Sequence, residues 1–569
     1  AKDERDTRWR VAAGFDGHVG ESVPRQATKT QVYYFFHLSL LFRVLLIIFH
    51  RGGNMSERSL PVDNPFVDPS IHETPSALQG EATLFVAEDA SLTLGADSLI
   101  ILDDRFVHRE AANCCGLLPT RSKTTHSIPH YNILDASLDD LELTIQHALP
   151  TSKTSCRPST ISYTLIDKSS INAAKSWLAK LLDLAYGNSQ RNKRIKVLVN
   201  PFGGQGAARK LYASEVEPLL RAAGCEIDAQ ETTHSGHAVE IARQLNVDAY
   251  DVVACASGDG LPHEVFNGLA QQQKPRRALR KVAVVQLPCG SGNAMSINLN
   301  GTNSPSFAAL AIVKGLRTPL DLMAVTQGER MYWSFLSQAV GIIADCDLGT
   351  ENMRWMGSAR FTVGILTRLL GKTVYPAELA VKVDIDDKQA IKAAYSHVRS
   401  QREDVSGRRE WEAHQDLDGD KHDSLPALQY GSVLQDVPSD WEKASLPTLG
   451  NFYCGNMAYM SPDTPFFAAA LPSDNHIDMV NVDGAIPRLK ALDMILAVEQ
   501  NKMFDMDVVN YRKVSAYRIS PKLRPGQKVG YISIDGEKVP FEPFQVEIVG
   551  GLGTVLSRNG AVYEFEGPK

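Results

Sequence analysis

Strand and helix patterns alternate from Arg194 to about residue 316, and strands then dominate to the C-terminus. The order predicts an α/β domain built on a parallel sheet, followed by a mostly antiparallel β-domain. Three observations carry this. Strand-like runs at 195–199, 225–231, 250–256 and 282–287 are interleaved with helical stretches at 207–223, 237–246, 261–270 and 307–316. The runs at 250–256 and 282–287 are apolar throughout or nearly so, as strands buried on both faces are. Beyond Arg317, the segments 320–326 and 331–337 flank Gln327-Gly328-Glu329, a hairpin signal.

The chemistry gathers where the strands end. Ser257-Gly258-Asp259-Gly260 closes the run 250–256 and opens a helix with Pro262 near its first turn, where a missing N–H costs little. Asn200-Pro201-Phe202-Gly203-Gly204-Gln205-Gly206 follows 195–199, and Pro288-Cys289-Gly290-Ser291-Gly292-Asn293 follows 282–287. Helix starts present unpaired N–H groups to anions, and in an open parallel sheet such turns collect at the carboxyl ends of the strands. A lone Gly-Asp-Gly is more simply a turn; three phosphate-friendly turns on one sheet edge point to a nucleotide. A P-loop is excluded because Arg209 stands where a glycine must precede Lys210. The dinucleotide fingerprint is excluded because Asn293, Ala294 and Met295 follow Gly292.

The chain of 569 residues has room for two or three domains. Its net charge of −7 argues against general nucleic-acid binding. The eight cysteines form no CxxC pair, which suits a reducing, cytoplasmic compartment. Cys225, Cys255, Cys289 and Cys346 lie in or beside apolar runs and read as small buried residues. Residues 1–54 read as a non-native or disordered extension. Their apolar run, 32–49, carries His37 and Arg43, and a membrane anchor is the alternative reading. Residues 55–192 form an accessory region with strands at 82–85, 98–102 and 160–166 and an amphipathic helix at 173–184. Cys114-Cys115 before an apolar triplet is a candidate palmitoylation site, set against two ordinary thiols. Residues 385–446, rich in charge, Gly, Ser and Pro, read as a disordered insertion whose removal should change activity by less than about tenfold.

Taken together, Asn200–Gly206, SGDGLPHEVFNG (257–268), LPCGSGN (287–293), DCDLGTENMRWMGSARFTVG (345–364), FFAAALPSDNHID (466–478) and Asp535-Gly536-Glu537 resemble the diacylglycerol-kinase superfamily of lipid kinases. Within it the chain is similar to the sphingosine, or sphingoid long-chain-base, kinases; the stretch 345–364 points to that branch. The resemblance spans about 194–565 apart from the insertion. It implies a phosphofructokinase-like parallel α/β nucleotide-binding domain at 193–319, a lipid-binding β-rich domain at 320–569, and an accessory region of pleckstrin-homology-like outline.

The implied reaction is transfer of the ATP γ-phosphoryl group to the primary hydroxyl of a sphingoid base, with Mg²⁺, at a membrane surface that the protein visits peripherally. Asp259 is then the base. Asn200, Gly203, Gly204, Gly258, Gly260, Gly290, Ser291, Gly292 and Asn293 hold the nucleotide, mostly through backbone N–H groups, with Glu264 orienting the site. Arg354 and Arg360 match phosphate-contacting arginines. Asp535, Gly536 and Glu537 lie near the nucleotide, with Asp535 the candidate Mg²⁺ ligand. Asp347 matches the residue that holds the base's amine and secondary hydroxyl, with Asp345 and Ser337 assisting. Phe202 and Gln205 depart from the pattern, standing where relatives often carry a basic residue. The rivals are a ceramide or diacylglycerol kinase, whose substrates lack a free amine, and a catalytically weak membrane-associated scaffold.

Overall fold

The computed structural model describes residues 82–349 apart from 88–89, 104–124, 204–205 and 291; residues 364–403 apart from 366, 369–370 and 372; and residues 423–569. The readings placed on residues 1–54 and on Cys114, Cys115, Gly204, Gln205, Ser291, Arg354 and Arg360 lie outside the described residues. Everything described belongs to one compact unit.

The accessory region opens with four antiparallel strands, β1 (Thr83–Ala87), β2 (Ala90–Leu94), β3 (Ser98–Asp103) and β4 (Thr125–Pro129). A three-stranded antiparallel sheet follows: β5 (Ile133–Asp139), β6 (Glu142–Ser152) and β7 (Ser155–Thr164). Helix α1 (Ile171–Tyr186) closes it, burying Ala174, Trp177, Leu178, Leu181, Leu182 and Ala185 at helical spacing. This region shares its apolar core with one face of the parallel sheet, including Ile195, Val197, Ala254 and Val285. It is the covering layer of that face.

The parallel sheet contains β8 (Arg194–Val199), β9 (Glu226–Glu231), β10 (Val252–Ser257) and β11 (Ala283–Pro288) in spatial order β9-β8-β10-β11. Strands β10 and β11 are buried at every position, which is why their sequences do not alternate. The connecting helices used below are α2 (His237–Gln244), α3 (Gly260–Leu269), α4 (Ala294–Asn300) and α5 (Pro305–Lys314). From β8 the chain first moves outward to β9, then returns to the other side at β10. The reversal opens a crevice at the carboxyl ends of β8 and β10, where ligands bind in such sheets.

Strands β12 (Leu316–Gln327) and β13 (Arg330–Ser334) form the expected hairpin, with Gln327 opposite Arg330. Strand β14 (Ser337–Gly341) then leads into helix α6 (Ile342–Gly349). The rest comprises β15 (Ala377–Ile385), α7 (Lys388–Glu403), β16 (Glu442–Leu446), β17 (Leu449–Gly455), the short pair β18 (Tyr459–Ser461) and β19 (Thr464–Pro465), and β20 (Ile477–Asp483). It ends with α8 (Arg488–Glu499), β21 (Val509–Pro521), β22 (Ile532–Ile534), β23 (Glu537–Val539) and β24 (Phe544–Ser557). The last strand ties the two domains into one sheet. It lies parallel to β11, with Val555 beside Val284, and antiparallel to β12 and β21. The boundary expected at 319/320 is therefore a change of strand direction within a continuous sheet.

The reading of 385–446 as a disordered insertion is corrected. Residues 388–403 form α7, with Ile391 and Tyr395 buried one turn apart against a core that includes Phe565. Strand β16 pairs with β15, Trp441 is buried, and the Glu547 carboxylate accepts the Gln429 and Tyr430 N–H groups at 2.7 and 2.9 Å. A few well-placed apolar residues hold 388–403 and 423–446 in place although their composition is polar; residues 404–422 lie outside the described residues.

Candidate active site

The turns after β10 and β11 touch. A Cβ placed on Gly290 would lie 2.3 Å from the Gly258 Cα, so only glycine permits the approach. Asparagines shape the turns from within. Asn293, at φ 53°, accepts from Gly290 N at 2.9 Å and donates to Gly290 O at 2.9 Å and to Asn303 Oδ1 at 2.6 Å. Asn200 Oδ1 accepts from the N–H groups of Phe202 and Gly203 at 3.0 and 3.2 Å. Asn293 thus uses both ends of its amide on the turn, and Asn200 its oxygen.

Asp259 heads α3 yet caps the neighbouring α4, its two oxygens accepting Ala294 N and Met295 N at 3.0 Å each. A Cβ on Gly292 would stand 3.1 Å from its Oδ2. Burial, reinforced by the charge of Asp535, raises its pKa above the usual carboxylate value despite the two N–H groups. The result is a fixed carboxylate of enhanced basicity at the meeting point of two glycine turns.

Asp535 sits in the β22–β23 turn, where φ of 50° at Asp535 and 86° at Gly536 is the two-residue hairpin signature. Its carboxylate is buried and accepts five hydrogen bonds. They come from Ser334 Oγ (2.6 Å), the N–H groups of Phe335 (3.0 Å), Leu336 (3.0 Å) and Ser337 (2.8 Å), and His263 Nδ1 (2.8 Å). The five donors already occupy the carboxylate expected to meet Mg²⁺. Instead it folds the β13–β14 connection around itself, which is why the strand expected over 331–337 breaks at Phe335-Leu336. Glu537 stays exposed, with its Oε1 3.5 Å from where a Gly260 Cβ would be.

Two further acids have structural partners of their own. Glu264 accepts from Gly236 N and Ala238 N at 3.0 Å each, capping α2 rather than orienting the nucleotide site. Asp345 is ion-paired with Arg368 at 2.9 Å and accepts the Tyr375 hydroxyl at 2.7 Å. Although burial opposes its charge, those partners hold its pKa below the usual value. Asp345 thus secures α6, while Asp347, one residue beyond Cys346, receives Ser533 Oγ at 3.4 Å. Ser337 Oγ lies 3.3 Å from the Tyr453 hydroxyl. That buried phenol stacks edge-on against Phe466, and its pKa is raised by burial and then by Asp347, Asp535 and Asp259. All three acids therefore lie near enough to the Tyr453 hydroxyl for their charges to act on it.

A family model described as the diacylglycerol kinase catalytic domain matches residues 194–325, and one described as a domain of unknown function matches 82–187. The chain is 37% identical over 426 residues to sphingoid long chain base kinase 5 of Saccharomyces cerevisiae, covering 67% of this chain and 61% of that one. It is 34% identical over 433 residues to sphingoid long chain base kinase 4 of Schizosaccharomyces pombe, covering 74% of this chain and 88% of the relative. This chain belongs to the sphingoid long-chain-base kinase family. Sphingosine kinase 1 of Arabidopsis thaliana is 29% identical over 391 residues, covering 64% of this chain and 76% of that one. A diacylglycerol kinase structure from Bacillus anthracis superposes with a TM-score of 0.43 at 16% identity, covering 65% of this chain and 98% of that one.

Within this family member, sequence reasoning overlooked three residues that join the halves of the cleft. His263, one turn after Asp259, donates to Asp535. Burial opposes its charge, but the bond to Asp535 and the nearby Glu537 raise its pKa overall. Asn267 donates to Trp333 O at 2.8 Å and accepts Trp333 N at 2.9 Å. Asn298 on α4 does the same with Tyr459 O and N, at 2.8 and 2.9 Å. His263 and Asn267 lie inside the SGDGLPHEVFNG stretch, and the signal available was their i, i+4 spacing on one helix face.

Proposed function

We propose that the chain transfers the γ-phosphoryl group of ATP to the primary hydroxyl of a sphingoid long-chain base, giving the 1-phosphate. The observation that carries this reading is Asp259, held by Ala294 N and Met295 N where two glycine turns meet, with the charge of Asp347 near enough to act on the same buried Tyr453 hydroxyl. The backbone of the turns holding Gly203, Gly258, Gly260, Gly290 and Gly292 fits a nucleotide's phosphates, because added Cβ atoms at Gly290 or Gly292 would crowd Gly258 or Asp259. Asp259 takes the proton of the lipid hydroxyl as the phosphoryl group moves. Mg²⁺, brought with ATP, would neutralise the charge of its phosphates. Glu537, beside Gly260, is the exposed carboxylate left to meet it, since Asp535 is saturated and the described residues contain no three-ligand cluster.

Asp347 pairs with the base's ammonium group, a charge-assisted bond worth on the order of 1.5–3 kcal/mol. Such a substrate is met at a membrane surface, visited peripherally; among the described residues no helix is long and apolar enough to cross one. The test is turnover with labelled ATP against sphingosine, dihydrosphingosine, ceramide and diacylglycerol, for the native chain and Asp347→Asn. The free bases should be preferred, and the variant should lose roughly ten- to 150-fold in lipid affinity while keeping its ATP affinity. Equal use of ceramide and sphingosine by the native chain would exclude the reading.

A further inference from the structure

The connection between β21 and β22 is unlike the other described loops around the site. From Pro521 to Ile532 it carries Lys522, Arg524 and Lys528 and no acidic residue of its own, although Lys522 Nζ pairs with Glu378 of β15 at 2.6 Å, both side chains about half exposed. Its aliphatic side chains point outward: Leu523 is 48% and Val529 54% exposed, on either side of a Pro525-Gly526 tip. The loop is held in shape. Gln527 N donates to Arg524 O at 3.0 Å, Arg524 Nε to Gln527 Oε1 at 3.0 Å, and Gln527 Nε2 to Val529 O at 2.7 Å. Gly526, at φ 80°, allows the reversal. Cations and aliphatic groups side by side on a shaped tip match the two components of an anionic bilayer surface.

The loop's base reaches the lipid side of the site. The Arg524 guanidinium lies 4.9 Å from the Tyr375 ring, and the Tyr375 hydroxyl bonds Asp345 on α6. Tyr531, at the loop's far end, would be 3.4 Å from a Cβ on Gly349, the last residue of α6. The helix that bears Asp347 thus meets the far end of this loop through Tyr531 and, by way of Tyr375, the residue beside its tip.

We propose that residues 522–529 dock the protein on anionic bilayers, with Leu523 and Val529 entering the interface, Lys528 meeting lipid head groups, and Lys522 exchanging its exposed pair with Glu378 for them. This rests on the reading of a bilayer-resident lipid substrate. Docking there places the Asp347 side of the cleft next to the membrane from which that substrate comes.

Co-sedimentation of the whole chain with vesicles, without ATP or sphingoid base, tests it. Vesicles of phosphatidylcholine with about a third phosphatidylserine should bind the native chain, and pure phosphatidylcholine should bind it at least about fivefold more weakly, since each basic residue near an anionic surface contributes about fivefold. Leu523→Ser with Val529→Ser, and separately Lys522→Gln with Lys528→Gln, should each weaken binding by about tenfold. The second pair should also lose most of its salt dependence. All these side chains are exposed, so melting temperatures should stay within a few degrees of native.

In detergent micelles both variants should phosphorylate sphingosine at the native rate, and only vesicle-presented substrate should reveal a defect. Native-like vesicle binding by either variant, or equal binding of the native chain to both vesicle types, would overturn the proposal. Absence of sphingosine turnover by the native chain in micelles would instead overturn the functional reading and leave the vesicle result to stand by itself.

Discussion

Asp259 carries two burdens, and they can be separated. As base it is expected to supply roughly 10²–10⁴-fold in turnover; as the cap of α4 it contributes about 1 kcal/mol. Asp259→Asn keeps one acceptor for α4 and loses the base. Turnover should therefore fall by the larger factor, with lipid binding retained and only a small drop in melting temperature. Near-native turnover in steady-state assays would remove Asp259 from the chemistry. Because burial raises its pKa, the acid limb of kcat/KM should lie above the pH where an ordinary carboxylate titrates.

His263 gives a separate signature. Its folded pKa lies above the unfolded value of about 6.5, so its contribution is fully present below that pH and declines as pH rises through the folded pKa. His263→Asn retains a donor toward Asp535 but has no titration. The stability of the native chain should fall relative to that variant between about pH 6.5 and the folded pKa. Parallel slopes in melting temperatures measured across that range would show that the imidazole is not charged there.

At the level of elements, the two helices that begin at glycine turns are each fastened by one asparagine that imitates a strand edge. Asn267 satisfies both backbone groups of Trp333, and Asn298 both of Tyr459. Leucine is close in volume but leaves a buried N–H and C=O unpaired, at about 1–3 kcal/mol each. Asn267→Leu should thus destabilise the protein by roughly 2–5 kcal/mol in urea titrations, beyond what its loss of side-chain packing explains. It should also lower turnover in the remaining folded fraction, because α3 sets Asp259 against the lipid wall. A change below about 0.5 kcal/mol would mean water replaces the amide at no cost.

For the molecule as a whole, the described parts of the accessory region and of 385–446 pack into the core. Lys314, nearly buried, donates to Ile133 O and Ala185 O and lies 3.5 Å from the Tyr186 ring centroid, fastening α5 to the accessory layer. Removing residues 386–445 and joining the ends with a short Gly/Ser linker would strip β16 from β15 and leave the buried Glu547 carboxylate without its two N–H donors. Loss of soluble, cooperatively folding protein is expected, measured by yield and calorimetry. A deletion product melting within a few degrees of native would show that these contacts add little.

The sequence by itself determined the strand–turn–helix units and the fold class. Each follows from local rules: apolar runs for buried strands, glycines where turns close, a two-residue turn between β12 and β13. It also determined the family, through motifs whose spacing survives when read along the chain. Only the tertiary structure decided what each acid does. Asp259, Glu264, Asp345, Asp347 and Asp535 look alike in sequence, and their roles depend on donors far away in the chain: Ala294 and Met295 for the first, Gly236 and Ala238 for the second, Arg368 for the third, Ser533 for the fourth, the residues around Phe335 for the last. A carboxylate's function is set by how many of its lone pairs are already taken and by how far burial has shifted its proton affinity. Both quantities exist only once distant segments meet.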